Sequence, residues 1–143
     1  MPPDPALTLN PVVTTSRLSG ADTSGVALQD ARQLISVPGF LEVFRRGSLS
    51  VELYCPRHHD PQTPHAQDEL YVVISGSGQF FCTGERRAFG PGDLLFVAAG
   101  QDHRFEAFSD DLAVWVIFYG PDGGERAPER TVLGQMFAER GSV

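Results

Sequence analysis

The sequence predicts an all-β fold, an antiparallel β-sandwich or barrel. The first observation is that residues 40–119 fall into short segments rich in Val, Phe, Tyr, Leu and Ile, residue types that favour strands. The second is that Gly, Pro, Asp or Ser turn signals separate these segments at intervals of about 8 to 12 residues. The third is that no helical pattern intervenes, so closure of antiparallel hairpins would remove exposed sheet edges. The segments are FLEVFRR, SLSVELYC, ELYVVIS, GQFFCTG, RRAFG, DLLFVAA, HRFEAF and LAVWVIFYG.

The residues before this β region divide into an arm and a short helix. Residues 1–25 contain several prolines together with Thr, Ser and Gly, which predicts an extended N-terminal arm rather than a packed element. Residues 26–36, VALQDARQLIS, place apolar side chains at roughly helical spacing, and Pro38-Gly39 ends the pattern. We therefore expect one short helix here.

The length of the chain predicts a single folded domain. A chain of 143 residues fits one hydrophobic core, and we place this domain at residues 26–143 with its β core at 40–119. Residues 120–128, GPDGGERAP, have the composition of a loop. Residues 129–140, ERTVLGQMFAER, are expected to form a last short helix that covers one end.

The charge balance argues against nucleic acid and membranes as partners. With 11 Lys and Arg against 18 Asp and Glu, the net charge is −7, so the average surface repels phosphate backbones and anionic lipids. No apolar run approaches the roughly 20 residues of a membrane helix, and the amino terminus lacks a signal stretch. We therefore expect a cytoplasmic protein. The 2 cysteines, without CxxC spacing, predict neither a disulfide scaffold nor a zinc pair.

Glycines mark two turns within the β region. Gly76 and Gly78 separate two strand-like runs, which predicts a tight hairpin with positive backbone φ, a conformation that costs glycine little. Gly92 belongs to a second turn, and Gly100 ends the following strand just before His103.

The spacing of residues 63–76 resembles the first motif of the cupin superfamily. That motif has the form HxH, three or four residues, E, six residues, G. Here Glu69 is followed by six residues and then Gly76, while His65 stands at the second histidine position. Thr63 occupies the place of the first histidine.

The second cupin motif has a counterpart later in the chain. Its form is G, five residues, PxG, two residues, H, three residues, N. Gly92 is followed by five residues and then Ala98, where proline is usual, and Gly100 and His103 follow at the motif spacing. Ala107 replaces the closing asparagine.

The two motifs together make residues 40–119 similar to a small single-domain cupin, or monocupin. This resemblance implies a cupin-like double-stranded β-helix, or jelly roll. It also implies one metal site with His65, Glu69 and His103 as ligands, and it leaves the fourth ligand of the family unassigned.

The residues themselves constrain how such a site could form. On a straight strand, residues 65 and 69 would lie about 13 Å apart, at about 3.3 Å per residue, which is too far to share one ion. We therefore expect residues 66–68 to bend and Glu69 to point inward, opposite to Leu70. A buried carboxylate without a cation or donor is costly, and a metal would supply the missing charge.

Two neutral imidazoles and one carboxylate suit one divalent transition metal ion, either Fe, Mn, Ni or Zn. With three protein ligands, open positions remain for water, substrate or oxygen. Thr63 is a poor ligand, but its hydroxyl could hydrogen-bond a bound water or substrate. The nearest substitutes for a fourth ligand are His59, His58 and Gln67.

These features favour a metal-dependent enzyme that acts on a small molecule, of dioxygenase, isomerase or lyase type. The resemblance supports fold and metal better than reaction, because the superfamily hosts many functions. One alternative is a non-catalytic barrel that binds or senses a small ligand, and another is a structural barrel. A homodimer is expected, and the structural barrel would dimerise through an edge strand and the N-terminal arm.

Overall fold

The computed structural model describes residues 25–126, which contain one helix and eight strands. Every strand segment predicted between residues 40 and 119 is confirmed. Residues 1–24 of the predicted arm lie outside the described residues. The predicted helix over residues 129–140 also lies outside them. In chain order the elements are α1 (Leu28–Leu34), β1 (Gly39–Arg46), β2 (Leu49–Cys55), β3 (Asp68–Ser75), β4 (Gly78–Cys82), β5 (Glu85–Phe89), β6 (Leu94–Val97), β7 (His103–Glu106) and β8 (Ala113–Tyr119).

The strands form two antiparallel sheets. The larger sheet has the order β1-β2-β8-β3-β6, and the smaller has the order β5-β4-β7. β3 and β7 therefore lie in different sheets, which matters because each carries a predicted ligand. The all-β sandwich prediction is confirmed.

The main core lies between the two sheets and is rich in aromatic side chains. Phe105 is 1% exposed and contacts the rings of Tyr71, Phe80 and Phe89, with centroids 5.0, 5.1 and 5.2 Å away. These tilted and edge-on contacts are the arrangements that aromatic pairs prefer. The alternation along each strand produces this layer, since every second side chain of β3 faces inward.

A second apolar cluster covers the opposite face of β1 and β2. Leu41, Val43 and Leu53 are buried there against α1, whose Ala31 is fully buried. The short helix predicted within residues 26–36 is thus confirmed over Leu28–Leu34, and the structure shows that it packs on the larger sheet. Among residues 25–126, no helix has the length and apolar character needed to cross a membrane.

The hairpin between β3 and β4 depends on glycine for two different reasons. Gly76 has φ +89°, and a Cβ there would lie 2.7 Å from the Leu112 Cα. Gly78 lacks a positive φ, so that part of the prediction is wrong for this residue. Its constraint is space, because a Cβ would lie 2.7 Å from the Phe108 Cα. A side chain at either position would displace backbone.

We expect Phe105→Ala to lower the free energy of unfolding by about 3 to 5 kcal/mol, because it removes a buried ring from a core that cannot fully collapse. Val37→Ala is the control, since Val37 is 47% exposed and should change stability by about 0.5 kcal/mol. Urea unfolding of both variants measures the difference. Equal losses would contradict the placement of Phe105 at the centre of the core.

Candidate metal centre

The three predicted ligands lie together at one end of the sandwich. His65 precedes β3, Glu69 is the second residue of β3, and His103 is the first residue of β7. His65 Nε2 lies 3.4 Å from Glu69 Oε2, and His103 Nε2 lies 3.6 Å from Glu69 Oε1. One potential ligand atom from each residue lies within 4.8 Å of the other two. The sequence-derived trio therefore forms one compact cluster.

A bend in the chain brings His65 back toward Glu69. The bend occupies Ala66 and Gln67, while Asp68 already begins the strand. The expected bend over residues 66–68 is thus confirmed in its first two positions. Glu69 is fully buried and Leu70 is not, which confirms the predicted inward direction of the carboxylate.

Hydrogen bonds hold the loop of His65 against the loop of His103. The Gly100 amide donates to the His65 carbonyl at 2.7 Å. The buried Asp68 accepts from the Ala99 amide at 2.9 Å and from the Glu125 amide at 2.8 Å. Because these contacts join segments far apart in sequence, they fix the separation of the two imidazoles.

The Glu69 carboxylate is buried without a hydrogen-bond donor from the described residues. Its side chain is 0% exposed, and within residues 25–126 neither carboxylate oxygen has a hydrogen-bond partner. The buried His103 Nε2 also lacks a partner there. Burying such groups is costly unless a proton or a cation completes the site.

The tautomer of His103 is fixed by its other ring nitrogen. His103 Nδ1 lies 2.9 Å from the Gln101 carbonyl oxygen. A carbonyl only accepts, so Nδ1 carries the proton. The neutral ring therefore presents a lone pair at Nε2 toward Glu69, the arrangement in which a histidine can bind a metal.

The two imidazoles differ in their affinity for a proton. Burial lowers the pKa of His65, with Glu69 opposing this shift. Burial also lowers the pKa of His103, but the Glu69 carboxylate, the Gln101 carbonyl and the charge of Asp60 outweigh it and raise the pKa overall. A proton on His103 thus partly compensates Glu69, and a divalent ion would compete with that proton.

The other candidate residues lie around this cluster and not in it. Thr63 is exposed at the mouth of the neighbouring pocket. The Gln67 amide donates to the carbonyls of Ser48 and Gly120, at 2.8 and 2.9 Å. His59 is exposed on a loop. The fourth-ligand role of these three residues stays a sequence-based prediction.

A pocket of about 240 Å³ adjoins the cluster. His65 belongs to both, so a small molecule in the pocket would lie beside that member of the cluster. The walls are largely aromatic and aliphatic, with a few polar groups, a composition typical of small-ligand sites. The lining residues are Phe40, Glu52, Tyr54, Gln62, Thr63, His65, Val116 and Phe118.

Glu52 is a pocket residue that the sequence analysis missed. It lies on β2 directly opposite Glu42 of β1, and like charges at opposed positions repel. Burial, followed by the charges of Glu42 and Glu69, raises the pKa of Glu52 to about 7, while Arg45 opposes the shift. The signal was a lone acid between Val51 and Leu53 in a strand-like run.

Comparisons with known proteins agree with this architecture. A family model described as a cupin domain matches residues 51–119. An uncharacterized protein of Streptomyces coelicolor is 35% identical over 95 residues, which are 65% of this chain and 90% of that protein.

Two solved structures are similar in fold. A cupin-2 domain protein from Shewanella frigidimarina has a TM-score of 0.54 at 14% identity, covering 64% of this chain and 91% of that one. A protein of unknown function from Rhizobium leguminosarum has a TM-score of 0.55 at 16% identity, covering 68% and 96%.

We expect Glu52→Gln to change how stability depends on pH in metal-free protein. A carboxyl whose folded pKa exceeds its unfolded value costs stability as it ionises, so wild-type stability should fall between pH 4.5 and about 7. Above that window Glu52→Gln should exceed the wild-type free energy of unfolding by about 2 kcal/mol. Denaturant unfolding at several pH values measures this difference. The exposed Glu85→Gln is the control, and identical pH profiles for all three proteins would refute the burial of this acid.

Proposed function

This chain belongs to the cupin superfamily, and on that premise we propose that it binds one divalent transition metal ion through His65, Glu69 and His103. We further propose that it is an enzyme acting on a small molecule held in the adjoining pocket. The proposed chemistry is of dioxygenase, isomerase or lyase type, and the proposed ion is Fe, Mn, Ni or Zn.

The observation that carries this proposal is the buried Glu69 carboxylate. Within the described residues it receives no hydrogen bond, yet two imidazole nitrogens lie 3.4 and 3.6 Å from its oxygens. Neighbouring ligands about 2.0 to 2.2 Å from one ion are separated by about 3 to 3.5 Å. The two distances therefore fit ligands that share an ion better than they fit hydrogen-bonded pairs.

The protein groups around the cluster have separable roles. When bound, the ion would supply a Lewis acid or an oxygen-binding centre. Phe40, Val116 and Phe118 form apolar pocket walls that exclude bulk water and strengthen polar interactions inside. His103, held by the Gln101 carbonyl, would present Nε2 to a bound ion.

Glu52 supplies the pocket with a group that can exchange a proton near neutral pH. Glu52 lines the same pocket as His65, and a pKa raised, mainly by burial, to about 7 suits a general acid or base. The substrate we propose carries a carbonyl or carboxylate that chelates the ion, with an apolar part against Phe40 and Phe118.

We also propose a homodimer in the cytoplasm. Leu94 and Phe96 are 61% and 53% exposed on β6, at the edge of the larger sheet, and an apolar edge strand favours pairing with a second copy. The net charge of −7 disfavours nucleic acid as a partner. Analytical ultracentrifugation measures the assembly, and a monomer at micromolar concentration would remove the dimer from the proposal.

We expect His65→Ala and His103→Ala each to abolish high-affinity metal binding, because each removes one of three ligands. Thr63→Ala is the matched control, since its exposed hydroxyl lies outside the cluster, and it should retain the metal. Elemental analysis and metal titration of protein purified without chelators provide the measurement. Tight retention by both histidine variants would count against the site.

The same titration separates the enzyme from a sensing barrel. Metal retained without oxygen uptake or substrate turnover would favour a binding or sensing protein. A wild-type protein that remains substoichiometric in metal after reconstitution would overturn the proposed site itself.

We expect metal retention to weaken as the pH falls, because protons compete with the ion for the imidazoles. His103 should be the first to protonate, since its pKa is raised and that of His65 is lowered. Dialysis at stepped pH followed by elemental analysis measures the retained metal. Full loading at about pH 4, well below the histidine pKa of about 6.5, would exclude histidine ligation.

A further inference from the structure

We propose that the side-chain carbonyl oxygen of Gln62 is the fourth protein ligand of the metal. This inference rests on the proposed metal site and completes it. Gln62 would then replace the first histidine of the cupin motif, whose place in the sequence is occupied by the neighbouring Thr63. The donor set becomes two imidazole nitrogens, one carboxylate and one neutral amide oxygen.

The first support is position. Gln62 Oε1 lies 3.5 Å from His65 Nε2, which is too long for a good hydrogen bond. The separation matches the 3.4 and 3.6 Å that relate Glu69 to the two imidazoles. All three values are close to the spacing of neighbouring ligands around a single ion.

The second support is the orientation of the amide. Gln62 Nε2 donates to Asp60 Oδ2 at 2.7 Å. An ionised carboxylate only accepts, so the NH₂ group must face Asp60 and the oxygen must face the cluster. The Tyr71 hydroxyl donates to Gln62 Oε1 at 2.7 Å. A carbonyl oxygen has two lone pairs, and the second one remains for an ion.

The third support is the rigidity of the groups that hold this amide. Asp60 is only 8% exposed and also accepts from the Tyr54 hydroxyl at 2.6 Å and the Phe105 amide at 2.9 Å. Tyr71 is fully buried, and its phenol supplies the hydroxyl donor for the Gln62 oxygen. Such outer contacts are what orients a metal ligand in advance.

The residues proposed from sequence fit the fourth position less well. The Gln67 amide is engaged with the Ser48 and Gly120 carbonyls, and Thr63 is exposed at the pocket mouth. An amide oxygen in place of a third imidazole also makes the donor set harder. Harder donors shift the preference toward Mn or Fe.

The test compares Gln62→Leu with Gln79→Leu, the same chemical change at an exposed glutamine of β4 outside the site. Affinity for Mn²⁺ is measured by competition with a chelator, after urea unfolding has shown whether each metal-free variant is folded. Gln62→Leu should bind at least about tenfold more weakly than wild type, as expected for loss of a group that supports a metal site. Gln79→Leu should bind as wild type does.

A measurement on the wild-type protein keeps the proposal testable if Gln62→Leu does not fold. Protein with ¹³C-labelled glutamine side chains is titrated with Zn²⁺, and NMR follows each Cδ resonance. The Gln62 resonance should shift with one equivalent of Zn²⁺, while those of Gln67 and the exposed Gln79 should not.

The outcomes separate this inference from the proposed metal site. Metal bound with unchanged affinity by Gln62→Leu and an unmoved Gln62 resonance would overturn the fourth ligand and leave the three-residue site intact. No metal bound by the wild-type protein would overturn both.

Discussion

The burial of the Glu69 carboxylate is the constraint on which the functional end of this molecule depends. A carboxylate with 0% exposure and no hydrogen-bond donor among the described residues is costly to keep ionised unless a positive charge compensates it. His103 is the internal source of that charge, because it can hold a proton. A divalent ion would be a stronger one. With a proton on His103, this arrangement is compatible with a folded metal-free protein. The same arrangement is also suited to binding a metal ion.

The sandwich brings these groups together because its two sheets converge where β3 and β7 begin. Glu69 belongs to the larger sheet and His103 to the smaller one, so neither sheet alone could form the cluster. The Gly100 amide and the Asp68 carboxylate then join the loops that precede the two strands. Asp60 adds a similar connection, since it accepts from Tyr54 on β2 and from the Phe105 amide on β7.

Local sequence was sufficient for the strands, and the resemblance to the two cupin motifs supplied the three clustered residues. Alternating apolar residues and turn glycines locate strands such as β3, and the distance between residues 65 and 69 requires a bend. What could not be predicted depends on partners distant in the chain. The direction of the Gln62 amide is set by Asp60 and Tyr71, and the pKa of Glu52 by burial and by Glu42 across the strand pair. No local pattern encodes such contacts, so Thr63, His59 and Gln67 were singled out and Gln62 was not.

The two imidazoles differ in exposure, and this difference bears on how fast an ion would enter and leave the site. The His103 side chain is 0% exposed, whereas that of His65 is 32% exposed. An ion held between them would have to arrive and depart past His65, whose loop is the less enclosed of the two. The rate of exchange would then depend on how readily His65 releases the ion, while all three ligands would set the affinity. Changes in the loop could speed the turnover of ions without altering which ion is preferred.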